Sequence, residues 1–271
     1  MPELPEVETS RRGISPHIEG KTFASVVVRE SRLRWPVPAD LAALLTGRRL
    51  RRIDRRGKYL LFDLENGTLL IHLGMSGNLR IGQAGLAHGK HDHLDFVFDD
   101  NTLLRYNDQR KFGAVLWTAE VPHAHPLLAK LGPEPLSADF DPAYLAGRLA
   151  GRQVPIKQLI MDSHIVVGVG NIYANESLFL ASILPTRPAG GLDADDCARL
   201  SASIKTVLEQ AIAQGGTTLR DFTDAQGKPG YFKQSLRVYG RGGEPCLSCR
   251  EPVQHLKIGQ RASYFCPTCQ Q

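Results

Sequence analysis

The chain begins Met1-Pro2-Glu3-Leu4-Pro5-Glu6, and this stretch is the point from which the rest of the fold is built. Proline at the second position is small enough for Met1 to be trimmed, which leaves Pro2 with a free secondary amine. An α-amino group titrates near ~8 and a lysine near ~10.4, so the terminal amine is the better nucleophile at neutral pH. Its attack on an aldehyde-level carbon gives an iminium directly. The alternative is that these residues only cap a surface helix with a frayed end.

A short helix is predicted directly after this stretch. Pro5 suits the first helical position, and Glu6 and Glu8 complement the positive end of the helix. Arg11 suits the last turn, and Gly13 is a stop signal. The pattern therefore predicts a helix that ends at Gly13 and holds the amine in place.

Bulk composition favours a soluble globular protein. The 271 residues are 42% hydrophobic and 23% charged, which is enough for two domains with cores. No apolar run is long enough to span a membrane and no secretion signal precedes the chain, so we expect a cytoplasmic protein with no membrane partner. The net charge of +5 weakly favours a polyanionic partner. No heptad pattern is evident, so a monomer is expected.

Residues 14 to about 133 have the pattern of β structure. Strands are predicted at 23–28, 59–64, 68–73, 94–98, 102–106 and 114–117, with one short helix near 40–45. Asn66-Gly67 is predicted to turn the hairpin between the second and third of these strands. Several strands with one short helix indicate a β-sandwich or a flattened barrel.

Basic residues are concentrated between positions 48 and 58. This segment carries seven cations and one acid, interleaved with apolar residues at strand spacing. A strand with one strongly positive face suits a phosphate backbone. The alternative is an edge strand whose charges prevent aggregation.

Two loops at strand ends carry the residues of a possible wedge. Gly74-Met75-Ser76-Gly77 presents an apolar side chain between glycines, and the segment 107–113 presents Arg110 and Phe112. An enzyme that acts on a base must take it out of the stack, and an apolar side chain with a guanidinium can fill the space. Alternatively, Met75 fills a core and Arg110 is solvated.

After residue 135 the hydrophobic period becomes helical. Helices are predicted at 142–150, 156–161, 170–181 and 193–213, so the second domain is expected to be a helical bundle. Gly168 and Gly170 precede the third helix, whose N-terminus could bind an anion. A tight connection between helices is the alternative.

The C-terminus carries the strongest chemical signal. Two C-x2-C pairs are separated by sixteen residues, the spacing of a four-thiolate structural zinc site. The predicted ligands are Cys246, Cys249, Cys266 and Cys269. Four thiolates leave no open position, so this one Zn²⁺ is structural. It would stabilise a hairpin that carries Lys257, Gln260 and Arg261.

Taken together, these motifs resemble the bacterial formamidopyrimidine-DNA glycosylase family along the whole chain. The resemblance rests on the N-terminal Pro-Glu-Leu-Pro-Glu, Lys58 in Gly-Lys-Tyr, His72-Leu-Gly-Met, Lys90-His-Asp-His, Gly168-Val-Gly-Asn-Ile-Tyr, the stretch 227–232 and the four cysteines.

This resemblance implies an α+β multi-domain fold and a DNA repair function. The fold would comprise an N-terminal β-sandwich (1–133), a helix-two-turn-helix domain (134–225) and a C-terminal zinc finger (237–271), with DNA in the cleft between. The expected enzyme excises oxidised purines, chiefly 8-oxoguanine and formamidopyrimidines, from duplex DNA and then cleaves at the abasic site by β,δ-elimination. It would work in the bacterial cytoplasm at the nucleoid. The segment 217–232 would cover the damaged base.

The resemblance also implies site residues. The catalytic residues would be Pro2, Glu3, Lys58 and Arg261. The DNA contacts would be Met75, Arg110 and Phe112 in the wedge, with His91, Arg152, Lys157 and Asn171 on phosphates. Gln109, Lys111 and His164 depart from the pattern, in which proline, arginine, and lysine or arginine are common at these positions. The two basic-residue departures are expected to weaken phosphate contacts.

Two other functions fit parts of the pattern. A related endonuclease VIII-like enzyme for oxidised pyrimidines would share Pro2 and Glu3, but the wedge residues and the stretch 227–232 argue against it. A non-catalytic protein that binds damaged DNA is the third reading, and the intact Pro2-Glu3 pair argues against it.

Overall fold

A computed structural model describes residues 2–217 and 235–271. The described chain forms two compact units, one of residues 2–129 with 214–217 and one of residues 130–213 with 235–271. The three-domain boundaries predicted from the sequence stay a prediction. The predicted cover over 217–232 lies outside the described residues except for Thr217. Across the described helices, none has both the length and the apolar character that a membrane crossing requires.

The first helix is longer than the sequence predicts. Helix α1 spans Leu4–Ile18 and continues through Gly13 and Pro16, so the predicted stop at Gly13 is wrong. The reason is tertiary packing, because Ile14 and Ile18 beyond the glycine are fully buried. Burying each isoleucine contributes about 1.5–3 kcal/mol, whereas glycine in a helix costs only about 1 kcal/mol.

The first unit is a sandwich of two antiparallel four-stranded sheets in the described residues. One sheet has the order β1-β6-β7-β5, with β1 at Phe23–Val28, β5 at Gly77–Gln83, β6 at Asp92–Phe98 and β7 at Thr102–Asp108. The other has the order β2-β3-β4-β8, with β2 at Leu50–Arg56, β3 at Tyr59–Leu64, β4 at Gly67–His72 and β8 at Ala114–Thr118. A short helix, α2, spans Leu41–Leu45. Apolar side chains from both sheets share one core, which confirms the predicted sandwich.

The hairpin between β3 and β4 turns one residue earlier than predicted. Leu64 pairs with Gly67, so Glu65 and Asn66 form the loop and Gly67 starts the return strand. A Cβ at Gly67 would lie 2.4 Å from the carbonyl oxygen of Thr118 on β8. Glycine is required here by a close approach of two backbones as well as by its φ of +149°.

Strand β2 lies at the edge of its sheet, which favours the edge-strand reading of the basic segment. Several of its arginines face acids: Arg51 lies 3.9 Å from Glu65, Arg52 2.8 Å from Asp54 and Arg55 3.1 Å from Glu8. Much of the positive charge predicted for a phosphate backbone is therefore balanced locally.

Glu8 joins α1 to β2, and its charge is expected to stabilise the fold. Burial alone raises the pKa of Glu8, but hydrogen bonds from Arg11 and Arg12 outweigh it and lower the pKa from 4.5 to about 2. A depressed folded-state pKa contributes stability that is present above pH 4.5 and is lost as the pH falls towards 2. Glu8→Gln is expected to lower the free energy of unfolding by about 2 kcal/mol at pH 7, after allowance for solvent screening.

Urea titrations at pH 7 and at the lowest pH where the protein stays folded measure this effect. The difference between Glu8→Gln and the unchanged chain should shrink as the pH falls below 4.5. Glu65→Gln is the matched control, since its ion pair with Arg51 is long and exposed. Equal destabilisation at both pH values would contradict the assignment.

The second unit is helical with a two-stranded hairpin. Its helices are α3 at Pro142–Leu149, α4 at Ile156–Ile160, α5 at Asn171–Leu180 and α6 at Ala194–Ala213, and its strands are β9 at Gln254–Ile258 and β10 at Arg261–Phe265. Each predicted helix is present with ends within one residue of its predicted range. Helices α3 and α5 pack against α6, whose buried stripe includes Leu200, Ile204 and Leu208. This arrangement confirms the predicted helical domain.

Candidate functional site

The N-terminal residues are buried and held, which contradicts a frayed end. Glu3 is 2% exposed, and its backbone N–H donates to Oε2 of Glu6 at 2.8 Å. Pro2 is also buried. The other oxygen of Glu6 accepts from both the N–H and the hydroxyl of Thr217, each at 2.9 Å. One buried carboxylate therefore joins the residue after Pro2 to the chain that leaves α6.

The role of Glu6 was missed by the sequence analysis, which assigned it only to the helix end. Gly216 has a φ of +79°, and a Cβ there would lie 2.9 Å from Oε1 of Glu6. The two contacting segments are 211 residues apart in the chain. Only the tertiary fold brings them together, so no local spacing could have revealed the contact.

Lys58 lies in the turn between β2 and β3, beside a neutral histidine. Gly57 makes this turn with a φ of +56°, and Tyr59 pairs with His72 on β4. Burial lowers the pKa of His72 to about 4, and the nearby charges of Lys58 and Arg34 lower it further. The imidazole is therefore uncharged at neutral pH. It leaves the cationic role in this part of the unit to lysine and arginine.

The wedge residues lie on two loops that touch each other. The Met75 loop (residues 74–76) joins β4 to β5, and the Arg110 loop (residues 109–113) joins β7 to β8. The guanidinium carbon of Arg110 lies 4.9 Å from the ring centre of Phe112, which is 45% exposed. A Cβ at Gly74 would lie 2.4 Å from the backbone of Phe112. The structure thus brings the three predicted wedge residues onto one surface.

The region around His91 is basic, but its charges are partly paired. His91 is half-buried in a groove whose lining also includes Lys90, Lys111 and Glu30. The ammonium of Lys111 pairs with Glu30, which also binds Arg32. His164, the other basic-residue departure, lies 2.8 Å from Asp162. Both side chains face a neighbouring acid, which agrees with the expectation of weaker phosphate contacts.

The structure corrects the expectation that Lys157 is an exposed phosphate contact. Its side chain is 1% exposed, and its ammonium donates to Oδ1 of Asn171 at 2.7 Å. It also donates to the carbonyl of Ala262 at 2.9 Å and to the hydroxyl of Ser263 at 2.7 Å. A lysine ammonium has three N–H groups, and here they match three acceptors. Lys157 therefore holds Asn171 and the C-terminal hairpin together.

Helix α5 carries both Asn171 and the anchors of the hairpin. The helix starts at Asn171 after Gly170, and the Asn171 amide donates to Ala262 at 3.0 Å. Asn175 accepts the N–H of Tyr264 at 2.7 Å. Glu176, buried on the same helix, accepts the N–H groups of residues 237, 238 and 239 at 2.8–3.0 Å. The sequence analysis named neither Asn175 nor Glu176, because each contact spans more than sixty residues.

Arg261 and Arg152 are exposed on this unit. The turn between β9 and β10 has positive φ at Gly259 and Gln260, the geometry of a two-residue hairpin loop. Arg261 follows it directly as the first residue of β10. Arg152 lies in the turn between α3 and α4, and its carbonyl accepts the N–H of Gly190 at 2.7 Å. Both guanidinium groups are placed where a phosphate could reach them.

The four C-terminal cysteines fit a single zinc ion. Their sulfur atoms lie within 4.8 Å of one another, with Cys246 and Cys269 4.0 Å apart and Cys249 and Cys266 3.4 Å apart. Tetrahedral zinc with bonds of about 2.3 Å places its sulfurs roughly 3.8 Å apart. The measured separations bracket this value. The fit of four thiols to a closed tetrahedron confirms the predicted structural site.

Comparison with known proteins gives a consistent result along the chain. Residues 1–115 match the formamidopyrimidine-DNA glycosylase N-terminal domain, residues 131–223 match the formamidopyrimidine-DNA glycosylase H2TH domain, and residues 243–271 match the zinc finger found in FPG and IleRS. A formamidopyrimidine-DNA glycosylase from Methylococcus capsulatus is 60% identical over 270 residues and covers 100% of both chains.

Solved structures agree with the sequence comparison. A complex of a Lactococcus lactis Fpg variant with DNA that contains Fapy-dG has a TM-score of 0.92 and 36% identity, and covers 100% of both chains. A complex of Lactococcus lactis Fpg with DNA that contains an abasic site has the same TM-score and identity, and covers 99% of both chains.

Proposed function

The chain belongs to the formamidopyrimidine-DNA glycosylase family, and on this basis we propose that the amine of Pro2 is its nucleophile. The protein is a base-excision repair enzyme, a DNA glycosylase and abasic-site lyase for oxidised purines, and its zinc finger binds one zinc ion. Its substrate is damaged DNA, not a small molecule. The observation that carries the assignment of the nucleophile is the buried, hydrogen-bonded backbone of Glu3, held by Glu6 next to Pro2.

The first chemical stage replaces the base by the amine. The nitrogen lone pair of Pro2 attacks C1′ of the extruded nucleotide, and the N-glycosidic bond breaks with its electron pair going to the base. The nitrogen loses its proton, and the C1′–O4′ bond opens to give the iminium. Glu3 donates a proton to O4′ as that bond opens. A fixed backbone at Glu3 keeps acid and nucleophile in register for this step.

The second stage cuts the strand through the iminium. Loss of a C2′ proton lets the C3′–O3′ bond break, and the electron pair leaves with the 3′ phosphate. Loss of a C4′ proton then lets the C5′–O5′ bond break, and hydrolysis frees Pro2. We assign Lys58 to the first elimination and Arg261 to the second, each as a cation beside a departing phosphate. The neutral state of His72 leaves Lys58 as the cation of its turn.

DNA is held by contacts from both units in this proposal. Met75, Arg110 and Phe112 enter the space left by the extruded base, and their solvent-facing cluster supports this role. His91, Arg152 and Asn171 contact phosphates near the lesion. Asn171 is held ready by Lys157, whose own contribution is therefore indirect. We place the enzyme at the bacterial nucleoid, in the cytoplasm, as a monomer.

Borohydride trapping on lesion duplex tests the nucleophile. The unchanged enzyme should form a covalent adduct when borohydride reduces the iminium, and peptide mapping should place the adduct on Pro2. A non-catalytic binder would form no adduct. An adduct on any other residue would refute the assignment of Pro2 while leaving the lyase activity intact.

Glu3→Gln tests the proton donor. The variant keeps an oxygen acceptor but cannot supply an acidic proton, so base excision should slow by about 10²–10⁴-fold, the usual range for general acid–base catalysis. Binding to a duplex with a non-cleavable abasic analogue should stay within about threefold, since Glu3 is buried and offers no phosphate contact. Glu19→Gln, at the other end of α1, is the matched control. Base excision at the normal rate would remove Glu3 from this role.

A further inference from the structure

Asp108 is the residue on which the two wedge loops converge. It lies at the end of β7 and is fully buried. Its carboxylate accepts from Ser76 Oγ at 2.6 Å, the Gly113 N–H at 2.9 Å, the Arg110 N–H at 3.2 Å and the Tyr106 hydroxyl at 3.2 Å. Its backbone N–H donates to the carbonyl of His91 at 3.0 Å, and its carbonyl meets Nε2 of His93 at 2.7 Å.

One oxygen of this carboxylate links the Met75 loop to the Arg110 loop. Oδ1 of Asp108 binds the hydroxyl of Ser76 and the backbone N–H of Arg110. The same hydroxyl of Ser76 accepts from that N–H at 3.0 Å, which closes a small ring of hydrogen bonds. Ser76 adjoins Met75, so the ring fixes where Met75 lies relative to Arg110.

The second oxygen fixes the far end of the Arg110 loop. Oδ2 of Asp108 accepts the N–H of Gly113 and the hydroxyl of Tyr106. Burial and the nearby Asp108 raise the pKa of Tyr106 well above 10, so its hydroxyl remains a donor. A Cβ at Gly113 would lie 1.8 Å from this hydroxyl, which leaves no room for another residue. Phe112, between the two tethered residues, is thereby held from both sides.

We propose that Asp108 is a positioning residue for base extrusion, which holds the two loops so that Met75, Arg110 and Phe112 enter the duplex as one unit. The inference rests on the proposed wedge function of those three side chains. Asp108 is buried and touches no reacting atom, so it acts through the loops. Loops that moved independently would have to be ordered at the moment of insertion, and this cost would slow extrusion.

The charge of Asp108 matters as well as its size. An ionised carboxylate offers acceptor positions to all four donors that face it. An asparagine of the same shape would turn an NH₂ group towards two donors, and those contacts would become repulsive. Asp108→Asn is therefore a near-isosteric way to loosen the loops.

Two substrates separate positioning of the wedge from general damage to the fold. In one duplex 8-oxoguanine faces cytosine, and in the other it faces an abasic analogue, where no pair is broken and no orphaned base remains. Single-turnover base excision by Asp108→Asn should be about thirtyfold slower on the paired lesion, equivalent to about 2 kcal/mol at 1.36 kcal/mol per tenfold. On the unpaired lesion it should stay within about threefold.

Asp95→Asn is the matched control. Asp95 is a buried aspartate on the neighbouring strand β6, and it binds Arg105 and Arg29 and neither wedge loop. It should lower thermal stability without distinguishing the two substrates. Equal rates of Asp108→Asn and the unchanged enzyme, or equal slowing on both substrates, would overturn the proposal.

Two further variants settle the remaining outcomes. If Asp108→Asn does not fold, Ser76→Ala removes only the bridge between the loops: selective slowing then supports the proposal, and unselective behaviour overturns it. Met75→Ala and Phe112→Ala test the wedge itself. If they are selective and Asp108→Asn is not, only the positioning role fails. If none is selective, the proposed wedge function fails with it.

Discussion

An enzyme that keeps any residue in front of Pro2 is expected to bind lesion duplex and to cut none of it. A peptide bond to Pro2 turns its amine into a tertiary amide, whose lone pair is delocalised into the carbonyl and cannot attack C1′. Such a protein also cannot form the cationic iminium through which the strand is cut. Losses on the scale of a missing nucleophile, roughly 10⁴- to 10⁶-fold, are therefore expected in base excision and in strand cleavage.

The matched control restores the amine without changing any other residue. A cleavable leader fused directly before Pro2 should abolish activity, and proteolysis that exposes Pro2 should return it. Binding to a duplex with a non-cleavable abasic analogue should be similar before and after proteolysis. The mass of the active species should correspond to a chain that starts at Pro2. Full activity of the uncleaved fusion would defeat the assignment of the nucleophile.

Local signals predicted most elements of both units. Alternation of apolar residues located β6 and β7, and helical periodicity with flanking glycines located α5 and α6. The cysteine spacing predicted the zinc site because four ligands in two short turns leave little freedom. These features depend on neighbours in sequence, and for that reason sequence reasoning reaches them.

Contacts between distant segments were beyond local signals. Gly13 looked like a helix stop, yet burial of Ile14 and Ile18 carries α1 past it. Lys157 looked like a phosphate contact, yet the acceptors that surround it come from residues 171, 262 and 263. Asp108 attracted no attention, although it has more partners than any wedge residue it supports. In each case the deciding partner comes from another element of the fold.

Removal of zinc is expected to abolish tight DNA binding before the β-sandwich melts. Structural zinc contributes about 10–16 kcal/mol to the folding of such small sites, and the hairpin buries too little to fold without it. Its loss displaces Arg261 and takes two acceptors, the Ala262 carbonyl and the Ser263 hydroxyl, away from the buried ammonium of Lys157. Asn171, which also binds Ala262, would lose its fixed position. The damage therefore spreads from the metal to a predicted phosphate contact on α5.

The size of the effect follows from the contacts that are lost. Two charge-assisted contacts at roughly 1.5–3 kcal/mol each correspond to about 10²- to 10⁴-fold weaker binding. Titration of chelator-treated enzyme with lesion duplex, beside thermal melts of the same samples, measures both consequences. The core of the sandwich contains none of the four zinc ligands, so its unfolding transition should persist.

A cysteine pair of variants separates metal loss from thiol chemistry. Cys249→Ser removes an exposed ligand and should reproduce the loss of affinity, whereas Cys197→Ala removes a buried thiol outside the cluster and should keep zinc and DNA binding. Return of zinc should restore the chelated enzyme but not Cys249→Ser. Because the hairpin carries Arg261 and supports Lys157, zinc-free protein with undiminished affinity would mean that neither takes part in holding DNA.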